Sequence, residues 1–413
     1  MQRNKNQKYV LFFIIAIGLF LRLVWVSDME WKDDEQWMYK KAHEAAAAGQ
    51  LPAAGMRSGG GIVNPGMSIG VFAFIAKFTD DPLEMNRVVQ VLNIFSVLGF
   101  LLFVFLKVKG DEREIWLLGI TLAAISPLAV LFSRKIWAQD LLPGLSFLII
   151  LANSYRNKGW GAFVWGLAGA LIGQVHMSGF FFAAGLFVFT VLHDYYNKIK
   201  FRWICWIAGS IIGSISIIPW IQFMLDNPQL SHQSFWHIFQ FNFYLCWFFD
   251  SQGLNVMYSM RKEFWQFIKE PVIAGIPTYL VAVAHLFLAA ASIFTLMALW
   301  KYMKRAIRFL KDKIPFKNIF LNMSITRFYL FSVLLGLGVF MTLSGTTIYT
   351  HYLICAFPFS YIFLAKVLEH RKRLMFAIIF AQLFVTILFL FYVHNHNGIE
   401  KGDYGKVYRV QVK

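Results

Sequence analysis

Long apolar segments alternate with short polar connections along most of the chain. A bilayer core takes roughly 20 apolar residues in a helix, and segments near that length recur throughout the sequence. By apolar length we place about eleven membrane-spanning helices, at 9–27, 85–106, 114–132, 140–154, 159–175, 178–193, 203–222, 275–300, 328–345, 348–366 and 374–393. The pattern predicts an all-α polytopic membrane protein.

Composition and charge agree with this prediction. Hydrophobic residues make up 58% of the chain, charged residues 15%, and mean hydropathy is +0.56. The net charge of +17 does not indicate nucleic-acid binding, because the basic clusters fall on alternate connections, as the positive-inside rule requires. These clusters are Lys107–Arg113, Arg156 and Lys158, Lys198–Arg202, 301–327 and Lys366–Arg373. We therefore expect a protein of the cell membrane with a cytoplasmic N-terminus.

Other sequence signals narrow the class. The first apolar segment has no small-residue cleavage site after it, so we expect no removable signal peptide. The three cysteines, Cys205, Cys246 and Cys355, are far apart and are typical of packing residues. No P-loop, GxGxxG or zinc-binding spacing occurs. No cofactor is predicted, and a divalent metal has no support in the sequence.

Two connections on the non-cytoplasmic side are long enough to carry function. We expect one integral-membrane domain over 1–413, with a core at 9–222 that includes the first outer loop at 28–84, a second outer loop at 223–278, and C-terminal transmembrane helices at 279–413. Within the first loop the pattern predicts helices at 33–48 and 67–78 lying in the membrane interface. Gly49 stops the first helix, and the glycine-rich stretch 55–66 is predicted to be a flexible loop.

The acidic triplet Asp33-Asp34-Glu35 is the strongest candidate for chemistry. It follows the first span and lies at the membrane surface, where an enzyme acting on a lipid-borne substrate needs a general base. Arg22 near the outer end of that span is placed to reach the triplet or a phosphate, because a charge in a membrane helix is usually paired or functional. A solvated cluster that caps the helix is the alternative.

Three further constellations fall on the same side of the predicted topology. Arg134, Lys135 and Asp140 share one short connection, where two cations suit an anion and the carboxylate suits a hydroxyl; a local salt bridge is the alternative. His176 ends the fifth span, as either a packing residue or a ligand contact. His351 and Tyr352 open the tenth span, where they either bind a sugar or phosphate or anchor the chain at the interface.

The order of these motifs resembles the GT-C superfamily of integral-membrane glycosyltransferases, in particular the protein O-mannosyltransferase and aminoarabinose transferase group. The resemblance rests on short motifs in the first half and one later helix: Leu21-Arg22-Leu23, Asp34-Glu35 with Tyr39, Asn64-Pro65-Gly66, Glu84 with Arg87, Arg134 with Asp140 and Pro143, and His351-Tyr352 with Pro358. Many relatives have Pro-Pro where Asn64-Pro65-Gly66 stands, and a lysine near the position of His176.

The resemblance implies a catalytic carboxylate at Asp34, with Glu35 assisting acceptor placement, and a polyprenyl-phosphate sugar as donor. The predicted reaction is an inverting transfer to an acceptor hydroxyl of a lipid, glycan or protein at the non-cytoplasmic face. Arg134 and Lys135 would stabilise the departing phosphate, with Arg22 and Arg57 as further candidates. Asp33, Asn64, Asp140, His176, His351 and Tyr352 complete the predicted substrate contacts.

Two rival functions remain open from the sequence. A transporter or flippase for a lipid-linked glycan predicts charged residues deep inside spans and broken helices in paired halves. An outer-face glycan ligase or polymerase would depend on Arg261 and Lys262 of the second outer loop rather than on Asp34.

Overall fold

The computed structural model describes residues 2–58, 63–230, 235–313, 315–321 and 323–412, and these residues are mostly helical. Helices α1 to α10 are Gln2–Leu23, Asp33–Ala48, Met67–Ala76, Pro82–Lys107, Glu112–Ile125, Pro127–Phe132, Leu142–Asn153, Gly159–Val175, Ser178–Asn197 and Trp203–Ser214. Helices α11 to α20 are Ile218–Asp226, Asn242–Gln252, Val256–Met260, Phe264–Phe267, Leu280–Lys311, Ile325–Val333, Met341–Leu343, Phe359–Val367, Lys372–Asn395 and Tyr408–Gln411.

The described strands form three short antiparallel hairpins. Strands β1 and β2 are Ala54–Arg57 and Val63–Pro65, β3 and β4 are Val272–Ile273 and Ile276–Pro277, and β5 and β6 are Gly398–Ile399 and Gly405–Lys406. The first hairpin replaces part of the loop predicted at 55–66. The rest of that loop, at 59–62, lies outside the described residues.

An all-α polytopic membrane protein fits the structure, but the count of about eleven spans is not confirmed. Seven helical segments of the described chain are long and apolar enough to cross a membrane, and a bent pair, Thr350–Ala356 and Phe359–Val367, makes an eighth if it counts as one span. The predicted spans at 140–154 and 159–175 are helices shorter than 18 residues. The predicted span at 114–132 is divided into α5 and α6.

Proline explains the division of α5 from α6. Pro127 has no backbone N–H to continue the hydrogen-bond ladder, and its ring excludes the preceding residue from helical geometry. Ser126 accordingly has an extended ψ of 136°. The bent pair, whose two limbs meet at 83°, likewise has Pro358 at the start of its second limb. That bend places His351 and Tyr352 on a short 3₁₀ limb.

Both helices predicted in the first outer loop are present, at α2 and α3. The α2 helix begins where Glu35 reaches back to the N–H of Lys32 at 3.3 Å, which satisfies one of the donors at the helix start. It ends at Gly49, which takes the left-handed φ of 65° that favours glycine.

Close helix packing holds the bundle together. A Cβ on Gly166 of α8 would clash with the carbonyl oxygen of Trp206 on α10, and one on Gly209 of α10 would clash with that of Phe163 on α8. Glycine at these positions lets the two backbones approach each other closely, as small residues do in membrane helix pairs.

One side of the bundle collects the end of α1, the start of α4, the join between α8 and α9 and the end of α19. We call this the cavity side. Residues 396–412, the C-terminal tail, fold back over it: Val407 bridges to Glu30, and the N–H of Tyr408 donates to the Met29 carbonyl at 3.1 Å. The tail therefore covers the segment between α1 and α2.

Candidate functional site

A cavity of about 140 Å³ opens on the cavity side, beneath the tail. Its polar lining comes from five separate parts of the chain: Glu30, Lys32, Asp34, Lys135, Ser259, Thr350, His351, Asp403 and Tyr404. Its apolar lining is Leu128, Leu131, Phe132 and Trp137. We call it the Asp34 cavity. Of the residues selected from the sequence, it brings together Asp34, Lys135 and His351.

Lys135 is the buried cation of the Asp34 cavity. Only 4% of it is exposed, its ammonium forms an ion pair with Glu30, and it lies 4.7 Å from the ring centre of Trp137. Burial by itself favours the neutral amine, but the neighbouring Glu30 and Glu35 outweigh it and raise the pKa of Lys135. Lys135 is therefore a fixed positive charge within the protein.

Glu30 and Lys32 extend this charged group towards the tail. The Lys32 ammonium lies 2.6 Å from Glu30, and it also donates to the Asp403 carbonyl. Glu30 is 1% exposed. Its carboxylate lies between the ammonium groups of Lys32 and Lys135. Glu30 lies three residues before Asp33, so the clustering of carboxylates was a usable signal for it.

The three members of the acidic triplet have three different environments. Asp33 is exposed at the start of α2 and does not line the cavity, whereas Glu35 is fully buried. Asp34 is half-buried and lines the cavity. Within the described part of the chain its carboxylate has neither a hydrogen bond nor an ion pair. Asp34 is therefore the carboxylate of the triplet that a ligand in the cavity can reach.

Glu35 is a buried carboxyl with an unusual protonation equilibrium. Burial, and then the nearby Glu30 carboxylate, raise the pKa of Glu35 to about 8, while Lys135 and Lys32 pull it partly back. Its Oε1 has no hydrogen-bond partner among the described residues. With this pKa the Glu35 carboxyl is mostly protonated at neutral pH. We therefore do not expect Glu35 to act as the general base.

His351 and Tyr352 lie side by side on the bent pair. The His351 ring packs against Trp137 and Tyr352, with ring centres 5.1 and 4.7 Å away. Tyr352 faces away from the Asp34 cavity, towards His176, whose ring centre is 5.0 Å distant. His176 and Tyr352 line a separate small cavity. These two predicted residues are thus neighbours of the Asp34 cavity rather than part of its wall.

The structure places Arg22 and Arg134 outside the wall of the Asp34 cavity. Arg22 donates to the backbone carbonyls of Gly18, Ala123 and Ala124. Arg134 donates to the backbone carbonyls of Leu21 at 2.9 Å and Trp25 at 2.8 Å. Both are almost fully buried, and neither lines the Asp34 cavity. Their hydrogen bonds hold the end of α1 against its neighbours, so a direct contact with a phosphate in the Asp34 cavity is not part of this arrangement.

The remaining predicted residues also lie outside the cavity wall. Asn64 connects two segments, donating to the Met56 carbonyl at 2.9 Å and accepting from the Met177 N–H at 3.2 Å. Arg57 is exposed at the end of β1. Asp140 is 1% exposed, and neither of its carboxylate oxygens has a hydrogen-bond partner among the described residues.

The C-terminal tail supplies residues of the candidate site that sequence reasoning missed. Asp403 and Tyr404 line the Asp34 cavity, and Arg409 holds the tail down by contacting Asp28 at 2.5 Å. Asp28 is 2% exposed and also contacts His394 at 2.6 Å. No local pattern marks these residues, because Lys32 and Asp28, which they contact at the site, lie more than 360 positions away in the chain.

The side chains of the Asp34 cavity suit the transfer of a proton next to a bound anionic group. An unpaired carboxylate, a buried ammonium and an imidazole face one small space, with a largely protonated carboxyl behind them. Within the described ranges, no group of three or more His, Cys, Asp or Glu is arranged to hold a metal ion.

Comparisons with protein-family models, with curated proteins and with solved structures find no match for this chain. The resemblance to the GT-C glycosyltransferases therefore stays a prediction from the sequence motifs.

Proposed function

We propose that the protein transfers a glycosyl group from a polyprenyl-phosphate sugar to an acceptor hydroxyl. The observation that carries the proposal is the unpaired Asp34 carboxylate in one cavity with Lys135 and His351. These residues come from three distant parts of the chain. General acid–base groups must lie close to the proton that they move and must be free to accept it.

In the proposed reaction, Asp34 accepts the proton of the acceptor hydroxyl. The hydroxyl oxygen then forms a bond to the anomeric carbon, while the bond from that carbon to the phosphate oxygen breaks. The electron pair leaves with the lipid phosphate, and attack from the opposite face inverts the anomeric centre. Lys135, the buried cation of the cavity, stabilises the departing charge, and such electrostatic stabilisation is often the largest catalytic contribution.

The other cavity groups support these two. Glu35 caps the start of α2 and so fixes the backbone that carries Asp34. His351 is a hydrogen-bond donor or acceptor for the sugar, held by its contacts with Trp137 and Tyr352. Lys32, which directly precedes α2, contacts Asp403 of the tail, and both residues line the cavity.

The proposed location is the non-cytoplasmic face of the cell membrane. The basic connections that contain Lys107 and Arg156 lie at the end of the bundle opposite the cavity side. At that end the Lys107 ammonium donates to the Ser154 carbonyl. The positive-inside rule assigns such connections to the cytoplasm, and the cavity side then faces outwards. A lipid-linked donor reaches the Asp34 cavity laterally from the outer leaflet.

The test is transfer by the purified protein in lipid nanodiscs, using polyprenyl-phosphate sugars and a panel of hydroxyl acceptors. Asp34→Asn should lower kcat/KM by roughly 10²–10⁴-fold, the usual contribution of a positioned general base. Asp80→Asn is the matched control, since Asp80 lies in the same loop with its side chain 97% exposed. Full transfer by the Asp34→Asn protein would remove this carboxylate from the mechanism.

The ligase or polymerase alternative depends on the second outer loop. Arg261 is exposed there and donates to Asp403 at 2.8 Å, so it braces the tail and does not line the cavity. Loss of transfer in Arg261→Ala and Lys262→Ala, with Asp34→Asn active, would favour that alternative.

A further inference from the structure

An open cavity of about 700 Å³ lies at the end of the bundle opposite the cavity side. The α19 helix fixes this location, because it begins at the cavity and its last turn contacts Asp28 of the cavity side through His394. The lining comes from α15 and from the join between α18 and α19: Phe294, Glu369, His370, Arg371, Lys372, Arg373 and Leu374. We call it the Arg371 cavity. Among the described residues, none lines both this cavity and the Asp34 cavity.

Two charged residues of the Arg371 cavity are already paired. The Glu369 carboxylate lies 2.6 Å from the Lys366 ammonium, and the Lys372 ammonium lies 2.7 Å from Glu114 at the start of α5. These ion pairs connect neighbouring helix ends, so neither Glu369 nor Lys372 needs a ligand for its charge.

The guanidinium groups of Arg371 and Arg373 are different. Both residues are exposed, and within the described part of the chain neither guanidinium has a hydrogen bond or an ion pair. The Arg371 guanidinium lies over Phe294, 5.8 Å from the ring centre. A guanidinium group is planar and binds the oxygens of a phosphate through two parallel hydrogen bonds. These two arginines therefore suit a phosphate group.

The apolar part of the Arg371 cavity belongs to two spanning helices. Phe294 is 47% exposed within the span Leu280–Arg305, and Leu374 lies in the first turn of the span Lys372–Asn395. The cavity thus joins charged surface to apolar surface where a span begins. The positive-inside rule accounts for cations at this end, but it does not require an apolar floor beneath them. A phospholipid matches both parts, because its phosphate is attached directly above its acyl chains.

The end of α15 adds positive charge beside the cavity. It carries four exposed cations: Lys301, Lys304, Arg305 and Arg308. Tyr302 holds this stretch next to the cavity, since its hydroxyl donates to Glu369 at 3.4 Å. Each Lys or Arg near an anionic membrane surface strengthens the attraction about fivefold. This end of the bundle therefore favours an anionic headgroup over a zwitterionic one.

We propose that the Arg371 cavity binds the headgroup of an anionic phospholipid in the cytoplasmic leaflet. Arg371 and Arg373 hold the phosphate, and Phe294 and Leu374 contact the beginning of the acyl chains. The positive-inside rule assigns this end of the bundle to the cytoplasm. The site lies at the other end of the bundle from Asp34 and does not depend on glycosyl transfer.

The test is a titration of the delipidated full-length protein in detergent with phosphatidylglycerol or phosphatidylcholine. Native mass spectrometry measures the bound lipid. The wild-type protein should bind phosphatidylglycerol at least tenfold more tightly than phosphatidylcholine. The double variant Arg371→Gln with Arg373→Gln should lower the affinity for phosphatidylglycerol at least tenfold, since each cation contributes about fivefold.

A matched control separates the cavity from general surface charge. The double variant Lys109→Gln with Lys200→Gln also removes two exposed cations, but from other connections at the same end. It should change the affinity for phosphatidylglycerol by less than about twofold, because neither lysine lines the Arg371 cavity.

A second variant tests the apolar floor without removing a charge. Phe294→Ala should weaken the binding of phosphatidylglycerol by about threefold or more, because it removes apolar contact area. Ile293→Ala is its control, since Ile293 is 61% exposed on the same helix and lies outside the lining; it should bind as the wild type does. An excess of inorganic phosphate should not displace the lipid, because it makes no contact with the floor.

Three results would overturn the lipid site: equal affinity of the wild type for both lipids, equal losses in the arginine and lysine double variants, or displacement by inorganic phosphate. The last result would indicate a site for a free anion. Asp34→Asn should bind phosphatidylglycerol as the wild type does. Failed lipid binding with intact transfer counts against the lipid site alone, and intact lipid binding without transfer of any sugar counts against the glycosyltransferase alone.

Discussion

Two groups of buried charges lie on opposite sides of the bundle, and they are built differently. Away from the cavity side, Arg156 grips Asp194 with two hydrogen bonds of 2.6 Å, and His193 adds a third contact at 2.9 Å. All three guanidinium nitrogens of Arg156 and both carboxylate oxygens of Asp194 have a partner. A paired group of this kind holds helices together. It leaves no unpaired charge for a ligand to bind.

The group around Lys135 is incomplete by comparison. Its ammonium pairs with Glu30, but Glu35 Oε1 and both carboxylate oxygens of Asp140 have no hydrogen-bond partner among the described residues. A buried polar group without a partner costs free energy, so an incomplete group of this kind is a candidate for binding or chemistry. We therefore propose that the cavity side carries the catalytic function and that the paired group on the opposite side carries structure.

Removing the buried lysine should produce the largest combined effect on stability and turnover. Lys135→Met breaks a buried ion pair and leaves Glu30 with the partly exposed Lys32 alone, so we expect a loss of about 3–5 kcal/mol in the free energy of unfolding and a fall in transfer of roughly 10²–10³-fold. Chemical unfolding and turnover per folded molecule measure the two quantities.

Arg156→Met sharpens the comparison, since it breaks the paired group on the opposite side. It should cost about 3–5 kcal/mol of stability as well, but turnover per folded molecule should not change. A drop in turnover equal to that of Lys135→Met would mean that the two sides are not functionally distinct.

Loosening the tail should have an intermediate effect. Arg409→Ala leaves the buried Asp28 with His394 alone, and we expect a loss of about 1–3 kcal/mol. Limited proteolysis of the tail and thermal unfolding report on it. Arg261→Ala, which breaks an exposed pair with Asp403, should cost less than about 1 kcal/mol; equal costs for both variants would refute the ranking.

Glu35 should make stability depend on pH. Its pKa is about 8 in the folded protein and about 4.3 when unperturbed, so the folded state binds the proton more tightly. Its stabilising contribution is therefore complete below pH about 4 and is lost as pH rises through about 8. Between pH 5 and 9 the wild-type protein should lose at least about 1 kcal/mol relative to Glu35→Gln, the value of nearly one pKa unit.

Unfolding midpoints across that range provide the measurement. Glu44→Gln, which alters an exposed carboxylate on the same helix, should follow the wild-type curve. If Glu35→Gln also follows that curve, Glu35 is not the group that titrates.

An exposed pair should matter least. Glu84 and Arg87, which contributed to the family resemblance, lie 2.6 Å apart with about half of each side chain exposed. Glu84→Gln should change the free energy of unfolding by only about 0.2–0.5 kcal/mol. A loss above 2 kcal/mol by thermal unfolding would show that this pair belongs with the buried groups.

The sequence by itself determined the helical, membrane-type class and the bounds of α2, because apolar length, capping and glycine act locally. It also identified Asp34, Lys135 and His351 as candidates, although only as separate motifs. The sequence predicted about eleven spans from its apolar runs. The structure divides one such run at Pro127 and bends another at Pro358, so an apolar run does not always form one spanning helix.

Only the tertiary structure decided which charges face the cavity. Adjacent residues on one helix point in different directions, so Glu35 is buried, Asp34 lines the cavity and Asp33 is exposed. Arg22 and Arg134 donate their hydrogen bonds to backbone carbonyls of other segments. The tail places Asp403 beside Lys32, although the two residues are 371 positions apart in the chain. Burial and pairing depend on neighbours in space, and the linear order of residues does not contain them.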